Sequence, residues 1–154
     1  MGLPLKESLP LLSNKLIERD LKRRIRIVAS GKLIKPAAAA AAVALELCLG
    51  ADFVVSARGF MFSLGCIQAL QCNKNTCPTG ITTHNPRLQK GLVVGYKAQR
   101  ISSYCENMNW EVGVIAHSCG VDEPRRLRRF HARVVTSNGT SIPLDELHPE
   151  PANA

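Results

Sequence analysis

Apolar positions along this chain recur with two different periods. Leu9, Leu12, Leu16 and Ile17 fall at helical spacing and predict a first helix over roughly residues 5 to 22, with Pro10 marking its first turn. "IRIVAS" (Ile25 to Ser30) is a short β-branched run ended by Gly31, and "ADFVVSA" (Ala51 to Ala57) is a second one ended by Arg58-Gly59. Between them "KPAAAAAAVALELCLG" opens on Pro36, closes on Gly50 and is filled with strong helix formers. "FMFSLGCIQALQ" predicts a further helix running into a cysteine-rich loop. Strand, helix, strand, helix in that order is the mark of a parallel α/β unit.

Past Pro86 the pattern changes. Ala98, Ile101, Cys105, Met108, Val112 and Ile115 alternate three and four residues apart, which predicts one amphipathic helix ending near Gly120. A short basic helix is expected from Pro124, and "TSNGTSIPLDELHPEPANA" reads as a turn-rich, loosely held tail. Two units follow from this change: residues 1–86 with the strand–helix repeats and the cysteine loop, and residues 87–154 as a helical extension and tail.

Composition narrows the function classes. With 154 residues and 45% hydrophobic positions the chain has the size of one domain with an ordinary core. Six cysteines at uneven spacing do not make a disulfide-stapled scaffold. No stretch reaches the ~20 apolar residues needed to span a bilayer, and the N-terminus does not read as a signal peptide, so a reducing cytoplasm is the expected compartment. The net charge of +8 comes mainly from "KRRIR" (Lys22 to Arg26) and "RRLRR" (Arg125 to Arg129). Aromatics are only 5% of residues and none interleaves the first cluster, so nucleic-acid binding is not expected and solvated helix ends are. An acidic protein partner would also suit such a surface.

Candidate chemistry sits in two places. The carboxyl ends of the predicted strands, "SGKL" (Ser30 to Leu33) and "SARGF" (Ser56 to Phe60), bring glycine and a cation to one edge, where parallel α/β folds bind phosphate. "CIQALQCNKNTCPTG" places Cys66, Cys72 and Cys77 within twelve residues. Three thiolates suit a 3Fe–4S cluster, and zinc with His84 as fourth ligand is the alternative. Three incidental cysteines are the remaining reading. Cys48, Cys105 and Cys119 lie in helical apolar patterns or at a helix end. No catalytic acid or base is assigned, since His84 and His117 read as loop and helix-end histidines.

"SGKLIKP", "GADFVVSARGFMFSLGCIQALQCNKNTCPTGITTHNPRLQKGL" and "EVGVIAHSCGVDEPRRLRR" together resemble the C-terminal part of the FMN-binding domain of glutamate synthase, above all its short stand-alone relatives. The resemblance covers residues 2 to about 148. It implies the last two strand–helix units of a (β/α)8 TIM barrel with a helical C-terminal extension, preceded in the family by six strands and a glutaminase domain that this chain lacks. It further implies FMN and a 3Fe–4S cluster as cofactors, with glutamine-derived ammonia added to 2-oxoglutarate and the imine reduced to glutamate. The electrons would come from ferredoxin or a pyridine-nucleotide partner. By the same resemblance Cys66, Cys72 and Cys77 would hold the cluster, while Ser30, Gly31, Lys32, Ala57, Arg58 and Gly59 would hold FMN. The chain has "SGKL" where the large subunits carry "DGGL", and Ala57-Arg58 where they carry "GT". Two other expectations stand beside it: an electron-transfer module docking on a partner without flavin chemistry, and a truncated product without function of its own.

Overall fold

The computed structural model describes residues 2–31 and 36–152; Lys32, expected to touch FMN, lies outside the described residues. The first helix, α1 (Leu5–Glu18), runs through Pro10 rather than starting there. Leu9, Pro10 and Ser13 form its buried stripe, and burial of that face outweighs the one backbone bond that proline forfeits. It stops before residue 22 because Asp20 turns left-handed (φ 53°) and the Leu21 and Lys22 amides both return to the Leu16 carbonyl.

Two short strands follow as expected. β1 (Val28–Ser30) and β2 (Phe53–Val55) pair in parallel, Val28 opposite Phe53 and Ser30 opposite Val55, with α2 (Pro36–Cys48) as the crossover between them. Asp52 fixes where the pairing begins. Its carboxylate accepts from the Ile27 amide at 2.8 Å and from Lys22 Nζ, while its own amide donates to the Ile27 carbonyl. Burial works against the ionised Asp52, yet the Lys22 and Ile27 hydrogen bonds, with Lys22 and Arg26 charges nearby, hold its carboxyl below the usual carboxylate range.

One face of the pair is covered and the other is not. Ala29 is buried and Val54 half-buried against the helices. Val28, Phe53 and Val55, which point the opposite way, are 57%, 50% and 43% exposed.

The predicted amphipathic helix is α5 (Val94–Ser118), which lies mainly across α2. Small side chains make that crossing close: Ala40 and Ala44 of α2 meet a core that includes Val112 and Ala116 of α5. Leu49, Leu127 and Leu144 complete the same cluster.

Between the two halves, α3 (Ala57–Ser63) is shorter than the apolar pattern implied. The Gly65 amide donates to Phe62 and the Cys66 amide to Met61 around a left-handed Gly65 (φ 99°), a glycine stop that ends the helix before the first loop cysteine. A single turn, α4 (Pro86–Gln89), is capped by the Asn85 side chain, which accepts from the Arg87 amide.

The C-terminal tail is not loosely held. β3 (Arg133–Val135) and β4 (Ser141–Pro143) form an antiparallel hairpin, and α6 (Leu144–Leu147) follows with Leu144 buried. Nor is the basic run a solvated helix: it folds as two 3₁₀ turns, Pro124–Arg126 and Arg129–His131, and Arg129 is 1% exposed. Its guanidinium donates to the carbonyls of His148 and Pro149 and to Asn14 Oδ1 of α1, with Glu150 3.7 Å away. No helix among the described residues is long and apolar enough to cross a membrane.

Candidate functional site

The carboxyl ends of β1 and β2 lie side by side, so Ser30 and Gly31 come next to Ser56, Ala57 and Arg58. Arg58 is exposed and makes no ion pair among the described residues, leaving its charge available at that edge. Both glycines are crowded, but by this chain's own side chains. A Cβ on Gly59 would sit 2.1 Å from the Tyr104 hydroxyl of α5 and 2.6 Å from Ser56 Oγ, two groups that hydrogen-bond each other at 3.0 Å. A Cβ on Gly31 would sit 3.0 Å from Glu46 Oε1. Glu46 is buried under that strand end, burial pushes its carboxyl pKa up, and its Oε2 finds no hydrogen-bond partner among the described residues. The exposed Arg58 guanidinium is the group that this edge offers an anion.

The thiol loop begins where α3 stops. Its first stretch pushes Ile67 and Leu70 into solvent, 65% and 82% exposed, with Gln68 and Leu70 both at φ 54°. Its second stretch is tied down. Asn75, left-handed at φ 60°, accepts through Oδ1 from the His84 amide at 2.6 Å, and the Thr83 hydroxyl donates to the Asn75 carbonyl at 2.6 Å. Gln89 Nε2 reaches the Thr83 carbonyl at 2.9 Å. Gly80 (φ 78°) is required there, because a Cβ would fall 2.3 Å from the Leu88 carbonyl oxygen.

All three loop cysteines are free thiols: Cys66 half-buried, Cys72 exposed, Cys77 buried. The Thr79 hydroxyl, 3.3 Å from Cys77 Sγ, and then the main chain of Thr82 favour the thiolate and lower the Cys77 pKa to about 6. Cys48 is the opposite case. Burial, then the nearby Cys119, push its thiol up to about 11. Three thiols, one of them held as thiolate, are the right donor chemistry for an iron–sulfur cluster. The structure does not gather them: among the described residues no three His, Cys, Asp or Glu side chains converge on one metal position. His84 is exposed.

Residues 1–122 match the conserved region in glutamate synthase. The chain belongs to the glutamate synthase family. It is 40% identical over 147 residues to the glutamate synthase large subunit-like protein YerD of Bacillus subtilis (strain 168), which covers 96% of this chain and 27% of YerD. It is 29% identical over 128 residues to the archaeal glutamate synthase [NADPH] of Methanocaldococcus jannaschii, covering 83% of this chain and 24% of that protein. The glutamate synthase [NADPH] large chain of Bacillus subtilis (strain 168) is 32% identical over 89 residues, 58% of this chain and 6% of its own. No solved structure matches the chain. The chain thus spans about a quarter of the length of YerD and of the archaeal glutamate synthase.

Within this glutamate synthase region, pattern reading missed Glu46, Tyr104, Thr79 and Thr82. Glu46 did leave a signal, a lone acid inside the apolar run "VALELCLG". Tyr104 left none, because its role depends on Gly59, far away in the chain.

Proposed function

We propose that this chain is the C-terminal part of the FMN-binding (β/α)8 barrel of a glutamate synthase-type oxidoreductase. In that reading β1 and β2 are the last two barrel strands, and residues 87–154 extend beyond the barrel. The observation that carries it is the pairing of a parallel strand–helix repeat, bearing glycines and an exposed Arg58 at its carboxyl ends, with a three-thiol loop on the next connection.

Ser30, Gly31, Lys32, Ala57, Arg58 and Gly59 would hold the flavin phosphate and the adjacent ring edge, Arg58 by direct charge and the others through backbone. Cys66, Cys72 and Cys77 would each take one iron of a 3Fe–4S cluster, with Thr79 and Thr82 keeping Cys77 ready as thiolate. Bound together, the flavin and the cluster would supply the electrons that reduce the imine of ammonia and 2-oxoglutarate to glutamate. Tyr104 and Ser56 orient the β2–α3 turn from behind by their mutual hydrogen bond. Glutamine as the nitrogen source and ferredoxin or a pyridine-nucleotide protein as the electron donor belong to the whole enzyme. Substrate contacts would come from the earlier barrel strands, whose natural seats are the unpaired edges of β1 and β2, with their inward side chains facing Val28, Phe53 and Val55.

Anaerobic reconstitution with iron and sulfide tests the cluster assignment. The chain should turn brown with broad visible absorption, Cys72→Ser should lose most of that colour, and Cys48→Ser should keep it. Equal losses in both variants would remove the loop from the reading, and zinc retained in place of iron would favour the docking module.

A further inference from the structure

At the amino-terminal ends of β1 and β2, opposite the flavin edge, the chain forms an open pocket of about 480 Å³. Leu47 and Leu127 give it an apolar floor, and its rim is charged. Five cations line it, and their commitments differ. Lys22 and Arg26 share Asp52, and Arg125 pairs with Glu123 at 2.6 Å. Arg23 and Arg128 have no carboxylate partner among the described residues, and Arg128 commits one nitrogen, Nη1, to the Arg125 and Leu127 carbonyls. With the pairing partners just outside the lining, Glu123 on Arg125 and Arg129 beside Glu150, six cations stand against the four carboxylates Asp20, Asp52, Glu123 and Glu150, so two positive charges are left over.

Cations collect at helix ends to meet open carbonyls, yet here main-chain donors already occupy much of that role. At the end of α1 the Lys15, Leu16 and Ile17 carbonyls accept from the Arg19, Leu21, Lys22 and Asp20 amides. At the end of α2 the Leu45, Glu46 and Leu47 carbonyls accept from Leu49, Ala51 and Gly50. Apart from Arg128 Nη1, which meets two carbonyls of its own turn, the cationic side chains brought together from the α1 turn and the Pro124 turn over an apolar floor need another counter-charge.

We propose that this pocket binds a compact anion carrying two or more negative charges, with Arg23 and Arg128 supplying its uncompensated guanidinium contacts. Phosphates and polycarboxylates both have this chemistry. The site is separate from the flavin edge and does not depend on it.

Isothermal titration calorimetry on the full chain at low ionic strength, with inorganic pyrophosphate and with citrate as probes, reads the binding. At least one probe should saturate at one site per chain and weaken about tenfold or more in Arg23→Ala/Arg128→Ala, the expected loss for two charge-assisted contacts. Tighter pyrophosphate binding assigns phosphates, and tighter citrate binding assigns polycarboxylates. Should the double variant unfold, protection of Arg23 and Arg128 from phenylglyoxal by the same probe in the unaltered chain reads the same contact. The proposal fails if neither probe saturates or protects, or if Arg87→Ala on α4 weakens binding equally. It also fails if Arg58→Ala abolishes binding, because the anion would then sit at the flavin edge.

Discussion

Gly59 carries two demands at once. By resemblance it belongs to the flavin contact, while in the fold it is the point where α3 meets the Tyr104 hydroxyl. An added methyl has nowhere to go, since both neighbouring groups are hydrogen-bonded to each other. Gly59→Ala should therefore destabilise the chain by about 1–3 kcal/mol, the usual cost of overfilling a packed site. Thermal unfolding followed by circular dichroism measures it. Tyr104→Phe in the same chain should recover part of the loss by removing the nearest atom, and no recovery would mean that α3 itself is strained. A sequence read for backbone freedom marks such a glycine but not its reason, because the crowding atom lies on a helix 45 residues away. The thiols differ in the same way. Spacing marks the three loop cysteines, whereas the Thr79 hydroxyl that lowers Cys77 and the burial that raises Cys48 depend on the fold.

At the scale of elements, the strand–helix order and the long amphipathic helix were legible because period alone specifies them. Where an element stops was less so. The apolar run through "FMFSLGCIQALQ" hid the stop at Gly65, although the glycine was the cue. The tail was misread for a different reason: a run of five residues containing four arginines averages to a solvated surface, and nothing local distinguishes Arg129 from its neighbours. Its partner Asn14 lies on α1, and that long-range contact, together with the bond that Asn14 Nδ2 donates to the Pro149 carbonyl, docks residues 148–150 on the first helix. Arg129→Ala would leave two carbonyls and the Asn14 amide group without this donor. A loss of about 3 kcal/mol is expected, as for other broken buried charge networks. Hydrogen exchange should accelerate in both α6 and α1; acceleration confined to α6 would show that the clamp does not reach the first helix.

The whole molecule is finished on the outside and open on the inside. Its helices cover one face of a two-stranded parallel sheet, while Val28, Phe53 and Val55 remain uncovered and each strand keeps an unpaired edge among the described residues. Burying three such side chains is worth about 1.5–3 kcal/mol each, so supplying the corresponding N-terminal barrel segment of a relative as a separate chain should produce a stable complex. Size-exclusion chromatography of the co-expressed pair should show one co-eluting species that retains yellow flavin through purification, while this chain alone should self-associate and stay colourless. A monomeric chain that holds stoichiometric FMN without the added segment would contradict the barrel reading.

The alanines of α2 have one more consequence, and it concerns length rather than chemistry. In a run of six identical residues, Ala37 to Ala42, one residue more or fewer would leave the chemistry unaltered. In a loop that change would pass unnoticed. In a helix each residue turns the chain by about 100°, so with the start of α2 held, one extra alanine swings Ala44, Leu47 and Cys48 away from their packed neighbours. The tract can tolerate many spellings, but it has to keep count.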